Sequence, residues 1–119
     1  MNWYIAKIVF RIITGDGNHM PQFDEQLRLI NAHNEDEAFE KAQQLGRDEE
    51  DSFMNQKNQL VKWSFINIPE LNKLPSLSDG TELYSKVNEY DNPKRFIETV
   101  NKKASFIGSA FFKKLGEAV

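Results

Sequence analysis

Every even position from Tyr4 to Ile12 is apolar, while the odd positions mix Trp3, Ile5 and Val9 with Lys7 and Arg11. A period of two with many β-branched residues predicts a strand over 3–13, one face buried and the other partly wet. Gly15-Asp16-Gly17-Asn18 ends it with turn chemistry. No Lys-Ser/Thr and no helix follow these glycines, so they read as a hairpin turn rather than a phosphate loop. A second strand is predicted over 22–32, with Phe23, Leu27 and Leu29 on one face and Asp24, Gln26 and Arg28 on the other. Leu27 and Leu29 are expected to join Tyr4, Ile8 and Phe10 beneath the helices. Val61, Trp63 and Phe65 share one face of a third strand over 60–68. Phe53 and Met54 are candidate strand residues before it, ahead of a turn at 55–58. Pro69 and Pro75 then bracket an irregular connection. A fourth strand is expected over 81–90, with Leu83 and Val87 on one face and Tyr84, Lys86 and Tyr90 on the other.

Two segments follow a helical period instead. Asn34 stands where an N-cap belongs and Glu37 three residues on, a capping-box pattern. Ala38, Phe39, Ala42 and Leu45 form a stripe and Gly46 suits the position after the last turn, which predicts a helix over 35–45. Asn92-Pro93 marks a second start. Phe96, Ile97, Val100, Ala104, Ile107, Phe111 and Leu115 then fall in one stripe, predicting a helix from 93 to about 115. Phe106 and Phe112 lie off that stripe.

The expected fold is α+β, ββαββα, with a four-stranded mainly antiparallel sheet and two helices on one face, over a single domain 1–119. A circularly permuted ferredoxin-like arrangement has this element order. It would place the first strand at a sheet edge, although that strand is the most apolar of the four. Either the strand order differs or a partner covers that edge.

At 119 residues, 39% hydrophobic and without cysteine, the chain is one domain long and holds no disulfide scaffold or thiolate site. Lys7 and Arg11 interrupt the apolar N-terminal run, which falls short of the ~20 residues of a membrane span. No targeting segment is read, and the expected location is the cytoplasm. The net charge of −3 conceals a split: residues 34–51 carry −6 and residues 92–119 carry +4. Solvated helix faces account for this, and an acidic and a basic helix also attract one another.

Candidate chemistry is sparse. His19 and His33 lie in separate loops with no third ligand at a metal spacing, so no metal and no cofactor are expected. Asp24 and Glu25 have cationic neighbours in Lys7, Arg11 and Arg28, and cross-strand pairing explains them. No catalytic constellation is present, and the chain reads as a non-enzyme. A small-ligand or enzymatic pocket, if there is one, would draw on Trp63, Tyr84, Arg28 and Glu25. Aromatics interleaved with cations on an open sheet also resemble single-stranded nucleic-acid readers. The acidic net charge and the lack of an RNP-type run disfavour that.

Trp3-Tyr4-Ile5-Ala6-Lys7, Phe23-Asp24-Glu25-Gln26, Glu37 to Ala42 with Gly46, Val61 to Ile66, and Asp79 to Ser85 follow one another in the chain. In this order they resemble the bacterial family known as domain of unknown function 4288. The resemblance covers roughly residues 2–90 and implies a short bacterial, cytoplasmic domain with no assigned activity. The function expected is protein interaction, with a second copy or another protein as partner. Trp3, Ile5, Val9, Phe106 and Phe112 are the expected interface. The basic amphipathic stretch from Lys102 to Leu115 suits docking on protein better than on a membrane surface.

Overall fold

The structure, a computed structural model, describes residues 1–118, with side chains up to Ser109. Its elements run β1 (Asn2–Thr14), β2 (Gln22–Ala32), α1 (Glu35–Asp48), β3 (Asp51–Met54), β4 (Leu60–Lys73) and α2 (Pro93–Ala118). The α+β class and the ββαββα order are those expected. The chain divides into two compact units, Met1–Tyr84 and Ser85–Val119.

In the first unit all strand pairs are antiparallel and the order is β2-β1-β4-β3. The permuted ferredoxin-like order, with β1 at an edge, is therefore not adopted. β1 is hydrogen-bonded on both sides, which is why it is the most apolar strand. Residues 81–90 form no strand; β3 takes the fourth place in the sheet. The reason is local. β3 and β4 are joined by residues 55–59, with Asn58 at φ 59° and the Asn55 amide donating to the Gln59 carbonyl at 2.9 Å. Closing this short hairpin costs less chain entropy than recruiting a distant segment to the same edge of β4.

β4 also outruns its predicted end at Ile68 and continues through Pro69 to Lys73. Its register against β1 shifts between Lys7 and Val9 and again between Val9 and Phe10. Residues 68 and 69 fall in the first irregularity. Proline lacks an N–H for the ladder, and a bulge is where a sheet tolerates that loss.

The β1–β2 register pairs even with even residues, Tyr4 with Ile30 and Phe10 with Asp24. Tyr4, Ala6, Ile8 and Phe10 form the core with Ile30, Ala32, Ile68, Ala38 and Ala42, and Leu45, Trp63, Phe65 and Leu71 pack around it. Leu27 and Leu29 thus lie on the face opposite α1, against expectation, and Asp24, Gln26 and Arg28 share the α1 face. A one-residue difference in register reverses every side chain of a strand.

α1 begins as predicted, the Asn34 side-chain Oδ1 accepting from the Glu37 amide at 2.8 Å. It ends later, at Asp48. Gly46 is not beyond the helix but inside it, buried with Ala38 and Ala42. A β-carbon on Gly46 would fall on the ring of Phe65. The small residue is there to let the helix approach β4.

In the second unit the Asn92 Oδ1 accepts from the Arg95 amide at 3.1 Å, the expected N-cap of α2. The Tyr90 and Phe96 rings stack with centroids 4.3 Å apart. The helix passes Gly108 without a break.

Gly46→Ala is expected to destabilise the first unit by about 1–3 kcal/mol through overpacking, although alanine favours helix by about 1 kcal/mol. Denaturant unfolding checks this, and Phe65→Leu in the same chain should recover part of the loss. Gly108→Ala, with open space around its β-carbon, should instead raise helicity measured by circular dichroism.

Candidate functional site

The sheet of the first unit carries a polar cluster on each face. On the α1 face, the even residues of β2 form a hydrogen-bonded row. Asp24 Oδ2 accepts from Trp63 Nε1 at 3.2 Å, across β1, and from Gln26 Nε2 at 2.7 Å. Gln26 Oε1 accepts from an Arg28 guanidinium nitrogen at 3.1 Å. Arg28 then reaches the end of α1, donating to both oxygens of Glu49 at 2.6 and 2.7 Å. The bidentate fork lowers the Glu49 carboxyl below its ordinary value and raises the guanidinium. Next along the chain, Glu50 Oε2 accepts the Phe65 amide at 2.9 Å, beside the β4 bulge that leaves Ile66 without a partner on β1.

On the opposite face Lys7 is the centre. Its Nζ lies 3.9 Å from Glu25 and 3.5 Å from Glu70, and 5.8 Å from the centroid of the Tyr84 ring. Glu70 Oε2 is buried and, among the described residues, finds no hydrogen bond of good geometry. Lys7 therefore sits between two carboxylates, its one charge shared by both, under an aromatic cover.

The four predicted ligand-binding residues separate into two pairs. Trp63 and Arg28 share the α1 face through Asp24 and Gln26; Glu25 and Tyr84 flank Lys7 on the other. The sheet stands between them. Of the predicted interface residues, Ile5 is buried, Val9 is half-buried and Trp3 is 39% exposed. Phe106 is 77% exposed; Phe112 lies outside the described side chains. A shallow groove of about 440 Å³ runs between the end of β2 and α1, lined by Trp3, Leu29, Leu45 and Gln44 among others. His19 staples the β1–β2 loop, its Nε2 accepting from the Thr14 amide at 3.0 Å. His33 Nδ1 lies 2.9 Å from Glu37 Oε2, at the start of α1; this contact holds the Glu37 carboxyl below its usual range. Among the described residues no group of three or more His, Cys, Asp or Glu side chains is placed to hold a metal ion, and no helix is long and apolar enough to cross a membrane.

Sequence reasoning passed over Gln26, Glu49 and Glu70. For Gln26 a signal existed: Asp24, Gln26 and Arg28 at spacing two mark one polar face of a strand. Glu49 and Glu70 carry no comparable signal, since a helix end and a bulge place them.

A family profile described as a domain of unknown function, DUF4288, matches residues 3–85. The chain belongs to this family. The DUF4288 segment coincides with the first compact unit, so both clusters lie within it and α2 lies beyond it. No curated protein and no solved structure matches the chain.

The Arg28–Glu49 fork sets a pH dependence. A carboxyl whose folded pKa is lowered stabilises the fold above its unfolded value near 4.5. That contribution is lost as pH falls through the lower folded value. Arg28 stays charged across this range. Both side chains are about one-third exposed, so water screens the pair. Glu49→Gln should cost roughly 0.5–1 kcal/mol near neutral pH in chemical denaturation. The difference from the parent chain should shrink towards zero as pH falls below the ordinary carboxyl value of 4.5 and through the lower folded one.

Proposed function

We propose that this chain is a non-enzymatic interaction domain of a bacterial cytoplasmic protein, and that its partner is a second copy of itself. The bacterial and cytoplasmic setting rests on the family resemblance. The observation that supports self-association is the outer edge of the sheet. β2 runs for eleven residues and has β1 on one side alone among the described strands. On the face away from α1 it presents Phe23, Leu27 and Leu29, each about half exposed. A long, unbulged edge strand with an apolar row favours pairing with another strand. The polar clusters speak against catalysis: the Asp24–Gln26–Arg28–Glu49 groups are engaged with one another rather than left facing a cleft.

A second reading places the contact on α2, where Phe96, Ile97, Val100, Phe106 and Ile107 are all exposed. The two are separable. Sedimentation of the whole chain at micromolar concentration should show a concentration-dependent dimer. Leu27→Asp combined with Leu29→Asp should abolish it while circular dichroism stays unchanged, because burying carboxylates at a contact is costly and leaving them wet is not. Loss of the dimer on Phe106→Asp with Phe112→Asp, but not on the β2 changes, would move the contact to α2. A strictly monomeric parent chain would remove both readings.

A further inference from the structure

The edge of β2 carries more than apolar surface. On the α1 face its charges are of both signs and four residues apart, Asp24 and Arg28, while Glu25 lies on the other face beside Lys7. Charges on an edge strand ordinarily discourage pairing. Their spacing here makes the strand complementary to itself. We infer that two copies join β2 to β2, antiparallel about a two-fold axis normal to the sheet and centred on Gln26, with Arg28 of each copy opposite Asp24 of the other. This deepens the self-association reading above and rests on it.

The register follows from elimination. A two-fold axis normal to the sheet keeps the α1 face of one copy continuous with that of the other, so residues of like parity meet. Centring on Asp24, Glu25 or Arg28 sets a charge against its own copy, which is destabilising. Centring on Leu27 sets Arg28 against Gln26 and Asp24 against Ile30, so neither meets an opposite charge across the seam. Centring on Gln26 pairs Arg28 with Asp24 twice, by symmetry. The same centre puts Phe23 beside Leu29 of the partner subunit on the opposite face, an aromatic–aliphatic cross-strand pair.

Two further observations agree. Within the chain, Asp24 takes both its donors, Trp63 and Gln26, on Oδ2; among the described residues Oδ1 accepts no hydrogen bond and is open to a guanidinium from the other copy. The pairing about Gln26 also ends at Ile30, which meets Gln22. The next carbonyl, Asn31, is already taken by Lys41 Nζ at 2.7 Å, so the edge is capped where the proposed ladder stops. At the other edge of the sheet β3 has four residues, too short to offer the same template. The product is one eight-stranded sheet in the order β3-β4-β1-β2-β2-β1-β4-β3.

The absence of cysteine makes the test direct. Residues on the dyad of an antiparallel pair have Cα atoms about 4.5–5.5 Å apart, within reach of a disulfide. Gln26→Cys should therefore oxidise to a covalent dimer of the whole chain, seen on non-reducing gels. Gln22→Cys should not, since its two copies would lie about 26 Å apart. Arg28→Glu should weaken the dimer on the order of ten-fold in sedimentation, and Glu49→Gln, which removes Arg28's partner within the chain, should not weaken it. Circular dichroism confirms that each variant is folded; the cross-link alone decides if Arg28→Glu is not. A parent chain that dimerises while Gln26→Cys fails to cross-link, or cross-links no better than Gln22→Cys, overturns this register and leaves self-association standing. A parent chain that never dimerises overturns both.

Discussion

β1 has to satisfy three constraints together: hydrogen bonds along both edges, a dry face under α1, and a second face that stays partly wet. The alternation from Trp3 to Arg11 is the sequence solution to all three. On the dry face Ala6 and Ile8 are fully buried and Phe10 nearly so, each large side chain contributing roughly 1.5–3 kcal/mol of burial. α1 can lie over this face because the two layers are thin where they meet, with Ala6 in the strand and Ala38, Ala42 and Gly46 in the helix. The larger groups, Tyr4, Phe10, Phe65 and Trp63, fill the space around that close approach. Phe10 and Phe65 meet edge to face at 6.0 Å, one on each of two paired strands. A β-carbon at Gly46 presses on that Phe65 ring, so the helix, the central strand and β4 are positioned by one contact region.

Much of this was legible in the residues. Strict alternation defines β1 and β2 within a residue or two of their ends. The Asn34 and Asn92 caps mark where both helices begin, because each satisfies amides that the helix itself cannot. What failed was decided at longer range. Alternation over 81–90 describes a segment able to pair, but pairing needs an edge, and β3 reaches β4 first through a short loop. Pro69 looks like a terminator in one dimension and is accommodated by a bulge in two. Gly46 has the composition of a helix stop and the position of a packing contact; a single sequence does not distinguish these.

The side of β2 that faces α1 was the most consequential error, and its physical origin is parity. Leu27 and Leu29 look like core, and hydrophobicity alone would turn them inward. The hairpin between Thr14 and Gln22 fixes even residues opposite even residues, and Ile30 and Ala32 then fill the core end of the strand. The polar trio is carried onto the α1 face, where it is affordable because Trp63, Glu49 and the residues of the trio bond one another. The candidate site was for the same reason only half visible: Trp63 and Arg28 do belong together, whereas Glu25 and Tyr84 belong with Lys7 across the sheet.

The acidic stretch at 34–51 gains meaning from the same geometry. Glu37 closes the start of α1 on His33, Glu49 holds Arg28, and Glu50 takes the Phe65 amide beside the bulge. These carboxylates are engaged locally, and a distant basic segment is not needed to account for them. Lys7 does the equivalent work on the other face for Glu25 and Glu70. Charge in the first unit is thus used in short, specific contacts around an apolar layer. The edge of β2 follows the same rule with one difference. Its apolar row is left uncovered among the described strands, while Asp24 and Arg28 are spaced so that, in the pairing proposed, a second copy of the strand would answer them. An edge guarded against promiscuous pairing by charge, yet matched to itself by the spacing of that charge, would discriminate among partners through register rather than through strength of contact.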